Sequence, residues 1–371
     1  NFFKHIKSSP NALSHEDIFP HYLMIYDEKG NEDIISTIFY LVNCLQELSA
    51  SEKDLDKFGR FKFSRSYQYK FKNVKENIVE KLIDKFCKKY LIKGMKNKSR
   101  FFISHDIDKI YGSIFQDSYW ALKQLDFIAL ARIIAYEICR KPHWKNIDKI
   151  LKMNDLYDIR STFFWLVNHG HGKDGVENAD YKINDEKFLL DQVIKHNGFN
   201  GLHKSSSDMG LDDELKKGGF NSPICRYHYL KFSIQNDWDS ICNSLIALDS
   251  SLGFAEQYGF RNSYGKSFQP FNIDQNKPYN FIETPLNFMD TTFDKYMNLP
   301  VKKIADTVIN FYLENSENCD ISLLWHNTYF TDFKYNSFID EYKKIIEFIY
   351  ENKIECVNTN SLIYDNKLTW P

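Results

Sequence analysis

No apolar run in this chain approaches the length of a membrane span, so the sequence offers no candidate transmembrane helix. Cys-x-x-Cys pairs are lacking too. The seven cysteines, Cys44, Cys87, Cys139, Cys225, Cys242, Cys319 and Cys356, are odd in number and widely spaced. That pattern argues against a disulfide framework and against a cysteine zinc site, and free thiols favour a reducing compartment. Neither sign of charge dominates: 48 Lys and Arg stand against 50 Asp and Glu, for a net charge of -2. Nothing in that balance points to nucleic acid as a partner. There is no fixed-period repeat and no low-complexity tract. The opening residues, Asn1-Phe2-Phe3-Lys4-His5, hold no signal-peptide apolar core, although the chain begins without Met. The expectation is a cytoplasmic protein, at most peripheral to the inner membrane.

Apolar residues, by contrast, are plentiful. At 371 residues and 43% hydrophobic, the chain can bury a sizeable core in two domains or one decorated barrel. Aromatics reach 16%, with 31 Phe and 23 Tyr; flat side chains suit a core and also suit platforms for sugar rings. Residues 1–97 read as a smaller N-terminal α/β unit, with helix-like stretches at 34–48 and 76–90 and a polar linker at 93–99. Residues 98–371 alternate between strand and helix patterns. Strands are expected near 101–104, 160–167, 198–203, 281–285 and 321–325. Helices are expected near 119–140, 185–196, 237–248, 301–314 and 338–351. That alternation predicts a parallel sheet or a (β/α) barrel.

Chemistry-bearing residues sit at the ends of those strands. Asp106 and Asp108, two apart after the apolar run Phe101-Phe102-Ile103, point to one side of a strand. His203, Arg226, His228 and His326 each border a later apolar run, and in a (β/α) fold such borders gather on one rim. A catalytic zinc keeps three protein ligands and one open position. Asp106 or Asp108, with His203 and His228, can supply the three, and the remaining Asp can take a proton from water. Arg226 can orient that carboxylate, His326 can protonate a leaving amine, and Asp249 can fix the tautomer of His326. A competing pair, His169-Gly170-His171, could chelate a metal instead, although Gly170, Gly172 and Gly175 favour a loop there.

The order of these motifs resembles the polysaccharide deacetylases of the NodB-homology type, carbohydrate esterase family 4. The resemblance is carried by His105-Asp106-Ile107-Asp108, Ser161-Thr162-Phe163-Phe164, Gly201-Leu202-His203, Arg226 and Leu324-Trp325-His326. Further segments resemble a subgroup from bacterial surface-polysaccharide gene clusters: Asp249 to Glu256, Gly259-Phe260-Arg261, Pro270-Phe271-Asn272, Pro285 to Asp290 and His326-Asn327. The N-terminal Asp56-Lys57-Phe58-Gly59-Arg60-Phe61 fits that subgroup as well. The resemblance implies a distorted (β/α) barrel of the NodB-homology type, a divalent metal, commonly zinc, and hydrolysis of an N-acetyl group from an amino sugar. It implies Asp106 as base, Asp108 and His203 as metal ligands, His326 as acid, Arg226 as the residue holding the base and Asp249 as the partner of the acid. One position departs from the family: Ser207 stands where a second histidine is usual. His228 is expected to supply the missing imidazole. The expected substrate is an amino sugar or glycan, nucleotide-linked, lipid-linked or oligomeric, with a membrane surface as a further partner through the apolar helix at 119–140. The alternatives are a non-catalytic glycan-binding or scaffold protein on a deacetylase fold, or another metal amidohydrolase using His169 and His171.

Overall fold

The computed structural model describes residues 13–94, 96–172, 174–220 and 222–367. The opening Asn1-Phe2-Phe3-Lys4-His5, Met95 of the expected linker and residues 368–371 lie outside them. Ten strands follow in chain order: β1 (Arg100–Ile107), β2 (Thr162–Leu166), β3 (Phe199–Lys204), β4 (Ile224–Tyr227), β5 (Leu248–Asp249), β6 (Phe271–Asn272), β7 (Lys277–Pro278), β8 (Ile282–Glu283), β9 (Phe288–Met289) and β10 (Asp320–Leu324). Eight form one sheet in the order β8-β5-β4-β3-β2-β1-β10-β9, and every neighbouring pair is parallel. The other two, β6 and β7, make a small antiparallel ribbon.

The connection between the two edge strands forces the sheet to curl. Laid flat, eight strands would put β8 and β9 about 34 Å apart at a spacing of about 4.8 Å. Only Thr284 to Asn287 separate Glu283 from Phe288, and that step spans at most about 18 Å. The sheet therefore bends round until its edges approach, and the fold is a distorted, incompletely closed (β/α) barrel. Its strands are buried on both faces, so β1 opens on consecutive apolar residues, Phe101-Phe102-Ile103, rather than an alternating pattern. Helices between the strands pack on the outside, and the main core runs from Phe101 and Ile103 through Trp165 and Trp325 to Tyr342 and Ile345.

Three expected helices differ from the sequence pattern. The stretch 34–48 is an α-helix only as Ile34–Val42, and after left-handed Cys44 (φ 50°) it goes on as a 3-10 turn, Leu45–Ser49. The stretch 119–140 is a hairpin of two helices, Ile114–Lys123 and Phe127–Ile138. Leu125 turns left-handed with φ 55°, and the Asp126 side chain accepts from the Ala129 N–H at 2.8 Å to start the second helix. The stretch 237–248 is helical only as Ile234–Cys242. Leu248 and Asp249 belong to β5, where they pair with β4 and β8.

Residues 13–94 pack around their own apolar cluster, which includes Tyr40, Leu41, Leu45, Tyr67 and Val79. Buried polar contacts join this cluster to the barrel. Arg261 pairs with Glu47 at 2.7 Å, both side chains nearly inaccessible. Tyr67 donates to Ser263 Oγ at 3.1 Å, and the Val79 N–H to the Ser263 carbonyl at 3.0 Å. At Gly259 (φ +126°) a Cβ would lie 2.3 Å from the Val74 carbonyl oxygen, so only glycine allows the two backbones to meet.

Candidate metal and acid-base centre

The rim at the carboxyl ends of the strands collects the chemistry. Alternation along β1 sends Ser104 and Asp106 one way and His105 the other. His105 is fully buried, and its Nδ1–H donates to the Trp325 carbonyl at 2.8 Å. Burial pushes its pKa down to about 4, so it is a neutral core histidine. Asp106 is held by Arg226, whose Nη1 lies 2.8 Å from Asp106 Oδ1 and 2.9 Å from Ser104 Oγ. The guanidinium is itself locked: Nε donates to the Ser250 carbonyl at 2.9 Å, Nη2 to Ser250 Oγ at 3.0 Å, and the plane lies 4.4 Å from the Phe164 ring centre. With Oδ1 occupied, Asp106 Oδ2 is the atom turned to the site, 3.5 Å from His203 Nε2.

Asp108, His203 and His228 form the one group of possible metal ligands found among the described residues, with ligand atoms all within 4.8 Å of one another. Asp108 Oδ1 lies 3.3 Å from His203 Nε2 and 3.6 Å from His228 Nε2. Two ligands bound tetrahedrally at about 2.0–2.2 Å stand about 3.3–3.6 Å apart, so both separations are those of donors sharing one ion. Three further observations agree. Asp108 Oδ1 is buried and makes no hydrogen bond. His203 Nδ1–H donates to the Arg226 carbonyl at 2.9 Å, which fixes the tautomer and leaves Nε2 as the coordinating atom. Formally, three carboxylates (Asp106, Asp108, Asp290) face one guanidinium, an excess of negative charge that a cation offsets. In the protein alone that excess falls on the imidazoles. Burial opposes charge on His203, but Asp106 and Asp108 outweigh it and its pKa rises. For Asp108, burial is outweighed by His228, His203 and His326, which hold the carboxyl well below its usual range. For His228, burial prevails and the pKa falls. The residues present therefore fit a divalent cation.

His326 completes the centre, but not with the partner expected for it. Its Nδ1 lies 2.7 Å from Asp290 Oδ1, and its backbone N–H donates to Asp290 Oδ2 at 2.5 Å. Nε2 faces Asp108 Oδ2 at 3.7 Å. Burial opposes the imidazolium, but Asp290, with Asp108 and Asp106 nearby, pushes its pKa up to about 10. Asp249 is engaged elsewhere. It accepts from Cys225 Sγ at 3.0 Å, from Ser251 Oγ at 2.8 Å and from the Ser251 N–H at 3.0 Å, and it is hydrogen-bonded to Glu283. Burial raises the pKa of both carboxyls, Glu283 most strongly. The role expected of Asp249 thus falls to Asp290. The signal for Asp290 is an acid directly after the apolar pair Phe288-Met289, as Asp108 directly follows Ile107 at the end of β1.

Ser207 takes no part in this cluster. It donates to Glu214 Oε1 at 2.7 Å and accepts from Asn168 at 3.1 Å, in a network with Ser205. His169 and His171 are exposed on the loop after β2, where His171 lies 3.7 Å from Glu177. His228 instead reaches the site from a strained turn: the next residues, Tyr229 and Leu230, are both left-handed, with φ 59° and 50°. That turn is held from the N-terminal segment. Arg60, its side chain 7% exposed, donates through Nη1 to the Tyr229 carbonyl at 2.8 Å and through Nη2 to Tyr296 Oη at 2.9 Å, while pairing with Asp56. Phe58 stacks on Tyr229 at 5.4 Å. Nothing in the local sequence of this segment signals that hold, which joins residues remote in the chain.

With this geometry in place, comparison with known proteins adds the following. Residues 2–95 match a family model described as a family of unknown function (DUF7033). No curated protein matches the chain. Solved structures similar to it include a Mycobacterium smegmatis protein described as a polysaccharide deacetylase, at 9% identity and TM-score 0.46, covering 74% of this chain and 93% of that one. Puue allantoinase is similar at 10% identity and TM-score 0.45, covering 74% and 91%. Peptidoglycan deacetylase PdaC of Bacillus subtilis is similar at 13% identity and TM-score 0.32, covering 72% and 93%. At these identities and scores they assign no activity to this chain.

Proposed function

We propose that this protein is a metal-dependent hydrolase that removes an N-acyl group, most simply N-acetyl, from an amino sugar of a bacterial surface glycan or its precursor. One observation carries the reading: a three-donor cluster, Asp108, His203 and His228, stands between a carboxylate braced by arginine and an imidazole braced by carboxylate. A divalent cation held by those three, zinc being the best match to the donors, would acidify a bound water and polarise the amide carbonyl. Asp106 Oδ2 would take the proton of the attacking water. His326 Nε2 would give a proton to the amine as the C–N bond breaks, yielding a carboxylic acid and a free amino sugar. Arg226 and Asp290 keep these two groups in register through the reaction. A cleft of about 790 Å³ opens beside His228, lined in part by Lys204, Ser207, Lys231 and Asp237, and its polar walls suit a hydroxyl-rich substrate.

The test combines metal analysis with turnover on N-acetylated oligosaccharides and nucleotide-linked N-acetyl sugars. Wild type should bind one divalent ion and release acetate. Asp106→Asn should keep the ion and lose turnover by about 10²–10⁴-fold. His228→Ala should lose the ion. Full activity in Asp106→Asn, or unchanged stoichiometry and affinity in His228→Ala, would remove the residue from the role given to it here.

A further inference from the structure

The helical hairpin between β1 and β2 leaves one face uncovered. Its inner side chains, Ala121, Ala129 and Ile133, are buried in a small cluster that includes Phe333. Its outer face carries Phe115, Tyr119, Leu125, Phe127, Ile128 and Ile138, each at least 66% exposed. Such a run of bare large apolar side chains marks a contact surface. Phe115 and Tyr119 are one turn apart on the first helix, and Leu125, Phe127 and Ile128 cluster at the tip between the two helices. Around them stand the exposed cations Lys123, Arg132, Arg140 and Lys141, while Glu137 is the one exposed acid from Ile114 to Lys141.

We infer that this hairpin docks on an anionic bilayer surface, lying in the interface rather than crossing it. Apolar side chains on one face with cations around them are the signature of an interfacial helix. No described helix is long and apolar enough to cross a membrane. A second copy of the chain is the poorer occupant, because a twofold contact would press this cation-rich face, with its one exposed acid, against an identical one. The docking has a direction. Asn327, next to His326, donates to the carbonyls of Lys109 at 2.8 Å and Trp144 at 3.0 Å, the two ends of the hairpin segment. The hairpin therefore springs from the rim that holds the acid-base centre, and docking would hold that rim close to the membrane. Resting on the proposed function, this favours an amino sugar carried on a lipid.

Flotation of the full chain with vesicles tests the docking without any turnover readout. The chain should float with vesicles of phosphatidylcholine containing about a third phosphatidylglycerol, and less with phosphatidylcholine alone. It should be released by salt of about 0.5 M, where charge is screened. The double variant Phe127→Ser/Ile128→Ser should lose binding by at least about tenfold at unchanged melting temperature, because both residues are exposed. A wild type that stays with the soluble fraction would overturn the inference. So would a variant that floats as well as wild type, or a dimer in gel filtration that this variant splits into monomers. An inactive chain that floats leaves the docking standing and sinks only the proposed function; an active chain that never floats does the reverse.

Discussion

Replacing Arg60 by alanine should loosen the metal cluster from a distance. The residue lies in the N-terminal segment, far in sequence from the metal cluster, yet two of its donors end on the barrel at the Tyr229 carbonyl and Tyr296 Oη. Hydrogen bonds to a charged group contribute about 1.5–3 kcal/mol each. Asp56, its ion-pair partner, is 21% exposed and can be rehydrated when the guanidinium goes, so we take about 3 kcal/mol as the loss on the barrel side. That is comparable to the strain of Tyr229 and Leu230, at about 1–2 kcal/mol for each left-handed residue. Without the clamp the turn can relax, and His228 moves with it. Removing the support of a metal ligand typically lowers metal affinity by about 10–100-fold, and this is the change expected for Arg60→Ala. Zinc titration against a competing chelator measures it, alongside thermal melts of the metal-free protein. Arg60→Lys keeps the charge but not the fork of donors, and should fall between. Zinc binding by Arg60→Ala within about twofold of wild type, whatever happens to its stability, would show that Arg60 does not hold His228 in place.

Two further outcomes follow from the acid-base geometry. Asp290→Asn removes the charge that pushes the pKa of His326 up to about 10. The imidazolium then deprotonates at lower pH, and because the acid must be protonated, the alkaline limb of the pH-rate profile should move down, with kcat reduced by about 10²-fold or more. An unmoved alkaline limb would detach Asp290 from the acid. The second concerns the buried carboxyl pair Asp249 and Glu283, which we expect to hold one proton between them. Glu283 has its pKa raised in the folded state, so its contribution to stability is complete below its unfolded value, about 4.3, and is lost as pH rises through the folded value. Glu283→Gln supplies a donor to Asp249 that does not titrate. Its melting temperature relative to wild type should therefore climb from pH 5 to pH 8; a difference independent of pH would show that the pair does not share a proton.

The barrel was legible because its strands, buried on both faces, are continuous apolar runs such as Phe101-Phe102-Ile103 and Thr162 to Leu166, and a helix-period stretch separates most of them. Asp106, Asp108, His203 and His326 were legible for a related reason: each polar residue ends an apolar run, and a strand end in a parallel sheet lies on the functional rim. Other features depend on contacts between segments remote in the chain. Whether His326 pairs with Asp249 or Asp290 is decided by the order of strands, which sets β9 beside β10 and β5 four strands from β1. The break in the helix at 119–140 comes from a leucine at a left-handed position, which propensity disfavours and no periodicity reveals. The hold of Arg60 on the turn after His228 joins residues 169 positions apart. Local pattern marks which residues reach the rim, since that depends only on strand period and burial. Which of them face one another depends on strand order and sheet curl, and those arise only when the whole chain packs.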